Sequence, residues 1–294
     1  IKMATQLQTS TTSVLQQMSR IMLVKARETE EHNMPVVSLI ERFNLPKGHY
    51  QLDIPKVGTM TASDLDEGID MTDTEDINPS IVSATTAEVG LKVIVTDILL
   101  RQNNESVFSI IGRQMGTAMA RKKDTDAIAL FTGLNGGTEF GADGADFTLA
   151  NASACIAKAK SAKMGSPLFI VHHPNAIFKF ISGFSGPIAS GGNLPKPFSA
   201  DALTDFWTGI KVSGVPFFED GNIAKTASVD SGFGVIANKN AMGYLVAKGK
   251  SEERQRDISL RAWEIVITED YSMFEVDDGL GAALEYEIGD LATS

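Results

Sequence analysis

An acidic run between residues 64 and 76 comes closest, by residue type and spacing, to a binding site for a metal ion. Its seven carboxylates stand in thirteen residues without a Lys or Arg and are Asp64, Asp66, Glu67, Asp70, Asp73, Glu75 and Asp76. Four of them match the first, third, seventh and twelfth positions of a calcium-binding loop. The sixth position, where such a loop needs Gly for a sharp turn, is Ile69, and Gly68 comes one place early. The run therefore predicts a solvated or partner-facing loop and no metal site.

The other residues with catalytic or metal-binding potential lack partners at a useful spacing. His172 and His173 are adjacent at the end of a predicted strand, so their side chains are expected on opposite faces. Residues 183–187 read GFSGP and miss the nucleophile elbow, because the second Gly comes one place early. Cys155 stands among alanines and is expected to be a small core residue. The sequence thus predicts no enzyme, no cofactor and no metal.

Composition limits the class of protein. The chain has 294 residues with 26 Lys and Arg against 37 Asp and Glu, which gives a net charge of −11. The acidic run carries seven of these negative charges and leaves −4 on the rest of the chain. A chain with a net negative charge is not expected to bind nucleic acid over its whole surface, because that binding depends mainly on Lys and Arg neutralising phosphates. The single cysteine excludes an internal disulfide, so folding in a reducing cytoplasm is expected. No apolar stretch is long enough to cross a membrane.

The first hundred residues predict an arm followed by a long excursion from a sheet. Apolar residues at helical spacing indicate helices, and alternating apolar residues indicate strands. The predicted elements are a polar arm over 1–13, a docking helix over about 14–31, a short helix from Pro35 to the breakers Pro46 and Gly48, and strands over about 50–57 and 88–100. The acidic run therefore lies at the far end of a hairpin or loop that leaves a sheet and re-enters it.

The remainder predicts one long helix, a linker and an α/β region. The long helix begins at Asn103 or Asn104 and stops at Gly133, with a highly charged middle over 121–126 that leaves only one side for burial. Glycines over 133–144 predict a linker and a domain boundary. The following elements are predicted as helices over 150–163, 174–181 and 200–207, an exposed Gly/Pro loop over 183–197, and strands over 167–171, 210–212, 215–218, 234–237, 244–247, 258–268 and 272–276.

This order of elements, together with its local wording, resembles a tailed-bacteriophage major capsid protein with the Hong Kong 97-like fold. The phrases that carry the resemblance are QLDIPKVGTMTASDLDEGID in the excursion, ARKKDTDAIAL in the long helix and SPLFIVHHPNAIFKFI in the α/β region. The resemblance implies an α+β fold with an N-terminal arm, an extended β-hairpin loop, a peripheral domain with a long spine helix, and an α/β axial domain. The implied limits are 1–34 for the arm, 50–92 for the extended loop, 136–243 for the axial domain, and 35–49, 93–135 and 244–294 for the peripheral domain.

The resemblance also implies a function. Members of this family assemble as hexamers and pentamers of an icosahedral shell around the double-stranded DNA of a tailed phage, without sequence-specific DNA binding. Portal proteins and scaffolding or decoration proteins are the implied partners, the virion is the implied location, and the host cytoplasm is the implied place of assembly. An encapsulin-type compartment of the same fold is the alternative. A cytosolic α/β hydrolase and a calcium-binding adhesin remain as rivals from other classes.

Three sets of residues are predicted to serve assembly. A two-stranded ribbon is marginal by itself and seven like charges repel one another, so the extended loop is expected to need a neighbour. Its predicted intersubunit residues are Lys56 and the seven carboxylates of the acidic run. The predicted basic partners on a neighbouring subunit are Arg101, Arg113, Arg121, Lys122 and Lys123. The loop implied near the capsomer centre contains Gly183, Gly186, Pro187, Gly191, Gly192 and Pro195.

Overall fold

A computed structural model describes residues 34–58, 60, 62, 64, 67–68, 79–102, 106–189, 211–226 and 230–291. The predicted arm, with its helix over 14–31, and the predicted helix over 200–207 lie outside these residues. The described residues divide into two units. The first contains Glu88–Lys122 and Lys248–Glu269, and the second contains 34–87, Lys123–Ala247 and the residues from Asp270 onwards.

The described part of the chain contains both helices and strands, as predicted. The helices are α1 Pro35–Leu39, α2 Asp97–Gln102, α3 Ser106–Ile128, α4 Leu149–Ser161 and α5 Pro174–Ala189. The strands are β1 Glu41–Asn44, β2 Gln51–Lys56, β3 Ser80–Thr85, β4 Ala87–Thr96, β5 Phe140–Gly141, β6 Leu168–His172, β7 Lys211–Val212, β8 Val215–Glu219, β9 Ser231–Asn238, β10 Met242–Asp257, β11 Ala262–Glu275 and β12 Gly281–Glu287. Short 3₁₀ helices cover Phe131–Gly137 and Asp278–Leu280.

The strands form three sheets. A four-stranded sheet has the order β1-β10-β11-β4, a six-stranded sheet has the order β5-β12-β9-β6-β8-β7, and β2 pairs with β3 alone. In the six-stranded sheet β6 is parallel to β8 and antiparallel to β9, and every residue of β6 is buried. Burial on both faces explains why β6 reads as an uninterrupted apolar run in the sequence.

The core of the second unit surrounds Phe147, which is fully buried. Its ring lies 4.8 Å from the ring of Tyr286 and 5.9 Å from that of Phe180, measured between centroids. Helix α4 covers this core with Ala152, Cys155, Ile156 and Ala159, residues that recur at intervals of three and four. Thr148 caps the helix by accepting a hydrogen bond from the Asn151 N–H at 3.3 Å. The predicted core role of Cys155 is confirmed, since its thiol is buried 3.1 Å from the Tyr286 hydroxyl.

The first unit has its own core between α3 and the sheet. Met115 and Met119 stand one helical turn apart and are buried against Ile265 and Ile267 of β11. Strand β4 adds Val95 and the partly buried apolar residues at every second position before it. Periods of about four in α3 and of two in β4 therefore bring their apolar faces into one cluster.

The two short segments around residues 35–44 and 97–102 differ from the prediction. The helix that begins at Pro35 ends at Leu39, and Glu41–Asn44 form a strand parallel to β10. The ring of Phe43 packs 5.7 Å from that of Phe274, a contact that the extended backbone permits. Strand β4 ends at Thr96, and the next six residues form α2. The Asp97 N–H donates to the Arg261 carbonyl, so the chain turns there instead of continuing the ladder.

Two predicted strands also pair differently. The return strand of the hairpin is β3, which runs antiparallel to β2 from Gln51↔Thr85 to Lys56↔Ser80, and not the segment from residue 88. Residues 258–261, predicted as the start of a strand, form the turn between β10 and β11. Asp257 stabilises this turn by accepting hydrogen bonds from the Ser259 and Leu260 N–H groups.

The predicted glycine-rich loop at 183–197 is wrong in its first part. Gly183, Gly186 and Pro187 lie within α5, which continues to Ala189. A glycine within a helix costs only about 1 kcal/mol, and the buried residues Ala176, Ile177 and Phe180 hold the beginning of this helix in the core. Gly191, Gly192 and Pro195 lie outside the described residues.

The predicted linker and the last strand need correction as well. Residues 133–144 contain most of a 3₁₀ helix and β5, which pairs with β12, so they do not form a free linker. Strand β12 pairs with β9 over Gly281↔Ala237 to Glu287↔Ser231. Residues 281–287 therefore belong to the sheet of the predicted axial domain and not to the peripheral domain. The other domain limits stay predictions.

Candidate assembly surfaces

One face of the β2–β3 hairpin packs against other strands of the second unit. Leu52, Ile54 and Val82 pack with the buried Ala84 against Leu245 and Phe274 of the long strands. The opposite face is polar, with Asp53 accepting hydrogen bonds from the Ser83 hydroxyl at 2.6 Å and from the Gln51 amide at 2.5 Å. These hydrogen bonds lower the pKa of Asp53. The strands of the hairpin thus have a buried side and an exposed polar side, as their alternation requires.

Four apolar side chains of this hairpin point to solvent. We call them the exposed hairpin set: Tyr50, Val57, Met60 and Ile81, which are 79%, 55%, 57% and 65% exposed. Ile81 lies within β3, Tyr50 and Val57 flank β2, and Met60 follows β2, so all four stand in or near one two-stranded ribbon. The ribbon therefore offers apolar surface that the described residues leave uncovered.

Lys56, predicted as an intersubunit residue, contacts its own chain. Its Nζ lies 2.5 Å from Asp277 Oδ1 and 3.8 Å from Asp278 Oδ1, in the connection between β11 and β12. The hydrogen bond to Asp277 raises the pKa of Lys56. The side chains are partly exposed, so this ion pair holds the end of β2 with modest strength.

The acidic run is described at two of its carboxylates. Asp64 and Glu67 are exposed, while Asp66, Asp70, Asp73, Glu75 and Asp76 lie outside the described residues. In the described part of the chain, no group of three or more His, Cys, Asp or Glu side chains is arranged to hold a metal ion. The helices in that same part are also too short or too polar to cross a membrane. The role of the acidic run between subunits stays a prediction.

The predicted basic partners occupy different environments. Arg101 of α2 is exposed, as are Arg113, Arg121 and Lys122 of α3. Lys123 is half-buried, and its Nζ lies 5.7 Å from the ring centroids of both Tyr244 and Tyr271. At this distance the ammonium group is held by cation–π attraction within its own chain. Lys123 therefore has partners within its own chain, and the intersubunit role of all five residues stays a prediction.

His172 and His173 serve the local backbone. The buried His172 places Nε2 3.2 Å from the Leu284 carbonyl oxygen and accepts the His173 N–H at Nδ1. Burial lowers the pKa of His172 to about 3, so its ring is neutral at physiological pH. The half-buried His173 accepts the Asn175 N–H, which helps the first turn of α5 to form. The prediction of hydrogen-bonded structural histidines is confirmed.

Sequence reasoning missed a buried polar cluster in the second unit. Asp124 of α3 and Asp220 after β8 are both fully buried. Asp124 is therefore on the buried side of the charged middle predicted over 121–126. Asp124 Oδ1 accepts the Val36 N–H at 3.3 Å, and its Oδ2 accepts the Asn222 side-chain amide at 3.0 Å. Burial and the hydrogen bond to Asp124 raise the pKa of Asp220 to about 8. The available signal was the position of Asp124 one turn before the buried Ala127 and the partly buried Ile128.

Comparison with known proteins identifies the family. The sequence profile of a family described as phage capsid protein matches residues 80–284. The chain belongs to the phage capsid protein family. The match includes β3, the whole of α3 and most of the six-stranded sheet, so it covers the elements that define the fold. No curated protein sequence matches this chain.

Solved structures confirm the fold of this phage capsid family member. A Mycobacterium phage Che8 structure matches with a TM-score of 0.62 at 17% identity over 88% of this chain and 93% of that chain. The capsid of Cyanophage P-SCSP1u matches with a TM-score of 0.62 at 16% identity over 85% and 87%. The holo-SrpI encapsulin complex from Synechococcus elongatus matches with a TM-score of 0.60 at 14% identity over 94% and 98%. The chain has the Hong Kong 97-like capsid fold.

Proposed function

We propose that the chain is the major capsid protein of a tailed phage and that it assembles as hexamers and pentamers into an icosahedral shell. The shell encloses double-stranded DNA without sequence-specific contacts, and portal proteins with scaffolding or decoration proteins complete the virion. Assembly takes place in the host cytoplasm. The role is structural, and no catalytic step is assigned to any residue.

The exposed hairpin set is the observation that carries this proposal. Complete burial of one Val, Ile or similar side chain stabilises a contact by about 1.5–3 kcal/mol relative to exposure. Four such side chains on an anchored ribbon therefore supply several kcal/mol when another subunit covers them. Symmetry repeats each contact around a closed shell, so contacts of this size are sufficient without any single strong one.

Charge supplies selectivity in this proposal. The acidic run repels its own copies, because its carboxylates lie within a Debye length of about 8–10 Å of each other when two runs meet. Arg101, Arg113, Arg121 and Lys122 are the proposed partners on a neighbouring subunit. Exposed ion pairs contribute only about 0–1 kcal/mol each, so they orient the extended loop while apolar burial holds it.

Deletion of residues 58–78, with Asn-Gly in their place to close the turn, tests the proposal. This change keeps β2, β3 and the Lys56 contact and removes Met60 and the whole acidic run. We expect a folded subunit with an unchanged circular dichroism spectrum and no closed shells in electron micrographs. Normal closed shells would refute the assembly role of the loop. A matched variant with the seven carboxylates replaced by Asn or Gln separates charge from loop length.

The basic partners are tested by Arg121→Gln combined with Lys122→Gln. We expect assembly to need a higher protein concentration and to lose much of its dependence on salt. Lys123→Gln is the matched control, because Lys123 contacts Tyr244 and Tyr271 and its loss should affect the stability of the subunit instead. Unaltered assembly and salt response in the double variant would exclude these two residues as partners.

An encapsulin-type compartment is the second candidate, and the likeness to the encapsulin complex, which extends over 94% of this chain, favours it. The two candidates predict different contents of the purified particle. Nuclease-protected double-stranded DNA in particles from infected or induced cells supports the phage shell. An enclosed protein cargo without DNA supports the compartment.

A further inference from the structure

The buried cluster of Asp124 and Asp220 contains four carboxylate oxygens and three N–H donors. Asp124 Oδ1 accepts the Val36 backbone N–H, and Asp124 Oδ2 accepts the Asn222 side-chain amide. Asp220 Oδ1 accepts the Asn222 backbone N–H at 2.8 Å. Asp220 Oδ2 is buried and has no donor. A buried carboxylate oxygen in this position destabilises the fold unless it carries a proton or accepts a hydrogen bond.

Asn222 joins the two carboxyl groups, because its backbone N–H donates to Asp220 and its side-chain amide donates to Asp124. Two ionised carboxylates that are fully buried and bind the same residue would repel each other, which favours a neutral form for one of them. A proton on Asp220 Oδ2 satisfies this oxygen and is donated to Asp124, whose two oxygens already accept N–H groups. We propose that Asp124 and Asp220 share one proton, and that its loss at alkaline pH releases the segments that the pair joins.

These segments are three separate parts of the second unit. Asp124 lies on α3, Val36 lies in α1, and Asp220 with Asn222 follows β8. The Asp220 N–H also donates to the His172 carbonyl oxygen at 3.0 Å, which ties the cluster to β6. Loss of the proton places two negative charges in the cluster, so the contacts of α1 and of residues 220–222 with α3 should open first.

The other titratable groups on these elements either contact residues outside the cluster or are exposed to solvent. On α3, Asp126 accepts the Tyr271 hydroxyl at 2.8 Å and Lys123 lies over two tyrosine rings. The sequence of α1, PVVSL, has no titratable side chain. Near β8, Glu219 is exposed and Lys225 pairs with Asp230 and Asp290. On β6 the His172 ring is neutral, and His173 accepts a backbone N–H.

The inference concerns the folded 294-residue chain and does not depend on the proposed function. Infrared spectroscopy of protein labelled with ¹³C at the aspartate carboxyl groups detects a protonated carboxylic acid directly. We expect an acid band at pH 6.5 that disappears as the pH is raised to about 9.5, with a midpoint far above that of an ordinary Asp. Asp220→Asn should remove the band at every pH, whereas Asp143→Asn, a change at an exposed residue, should leave it.

Hydrogen exchange measures the release. After correction for the intrinsic rate, we expect protection of peptides covering 34–40 and 218–226 to fall about tenfold or more over the same pH range. Asp220→Asn should abolish this pH dependence, because an amide at residue 220 can donate to Asp124 and still accept the Asn222 N–H. Asp124→Asn should reduce protection at every pH, because its NH₂ group would face an N–H donor.

Three results would overturn the proposal. One is the absence of an acid band in the unmutated protein at pH 6.5, which remains decisive if either variant fails to fold. Another is an unchanged pH dependence of protection in Asp220→Asn. The third is loss of protection on addition of a chelator at pH 7, which would show that the pair holds a cation in place of a proton.

Discussion

The β2–β3 hairpin and the six-stranded sheet belong to one chain but differ in how much of their surface the chain covers. Against the six-stranded sheet, Phe147 from the connection between β5 and α4 is enclosed by His172, Phe180, Phe217 and Tyr286, with ring centroids between 4.8 and 6.2 Å from its own. In the hairpin, Ile81 and Val82 are adjacent, yet Val82 packs against the body and Ile81 is exposed. The sheet has both faces covered, and the hairpin has one.

This difference indicates where the chain is complete alone and where it needs a partner. A side chain enclosed on all sides contributes to the stability of the subunit, whereas an exposed apolar side chain contributes only when something covers it. The two regions should therefore respond differently to substitution. Substitutions in the sheet should change folding, and substitutions on the open face of the hairpin should change assembly.

The largest expected effect is that of Phe147→Ala. Removal of a fully buried ring leaves a cavity among four aromatic neighbours, and we expect the free energy of unfolding to fall by about 3–5 kcal/mol. Chemical denaturation of the dissociated subunit measures this value. Phe178→Ala is the matched control, because Phe178 on α5 is 52% exposed and its loss should change stability by less than about 0.5 kcal/mol. An equal loss of unfolding free energy in the two variants would contradict the distinction between enclosed and exposed side chains.

The next effect is that of Ile81→Ser on assembly. Loss of one apolar side chain from an intersubunit contact should weaken it by about 1.5 kcal/mol or more, which corresponds to about tenfold in the concentration needed for assembly. The stability of the isolated subunit should stay within about 0.5 kcal/mol. Light scattering over a series of concentrations measures the first quantity and chemical denaturation the second.

Val82→Ser is the control for this prediction, because it removes a similar side chain from the opposite face of the same strand. It should lower hydrogen-exchange protection of the hairpin in the isolated subunit, since Val82 packs with Leu245 and Phe274. The exposed-face interpretation would be wrong if Ile81→Ser destabilised the subunit as much as Val82→Ser did.

Patterns that repeat within one element were predicted well. The four-residue spacing of Ile111, Met115 and Met119 indicated α3, and the apolar run at 167–171 indicated β6. Both signals arise because the buried side of a helix or strand needs apolar residues, and their spacing can be read from the local sequence. The family resemblance added the fold, which the comparisons confirm.

Features that depend on distant partners could not be predicted. Glu41–Asn44 became a strand because β10 lies beside it, about 200 residues later in the chain, and short segments have weak preferences of their own. Asp124 looked like one charge among several, because nothing in 121–126 indicates Asn222 or the N–H of Val36 as its partners. The same limit applies to Lys56, because nothing near it in the sequence indicates Asp277 as its partner.

The smallest expected effect is that of Lys56→Gln, which tests how firmly the hairpin is joined to the covered part of the molecule. The ion pair with Asp277 is partly exposed, so its loss should cost no more than about 1 kcal/mol of stability and less at high salt. Because folding raises the pKa of Lys56, the contribution is present below its ordinary pKa of 10.5 and is lost as the pH rises through the higher folded value. Hydrogen exchange of residues 51–56 and 80–85 should therefore differ between Lys56→Gln and the unmutated protein at pH 8, with the difference shrinking as the pH rises beyond 10.5. Lys47→Gln, a change at an exposed lysine before β2, is the matched control and should have no effect, whereas an equal effect would show that the hairpin is held by general charge and not by this contact.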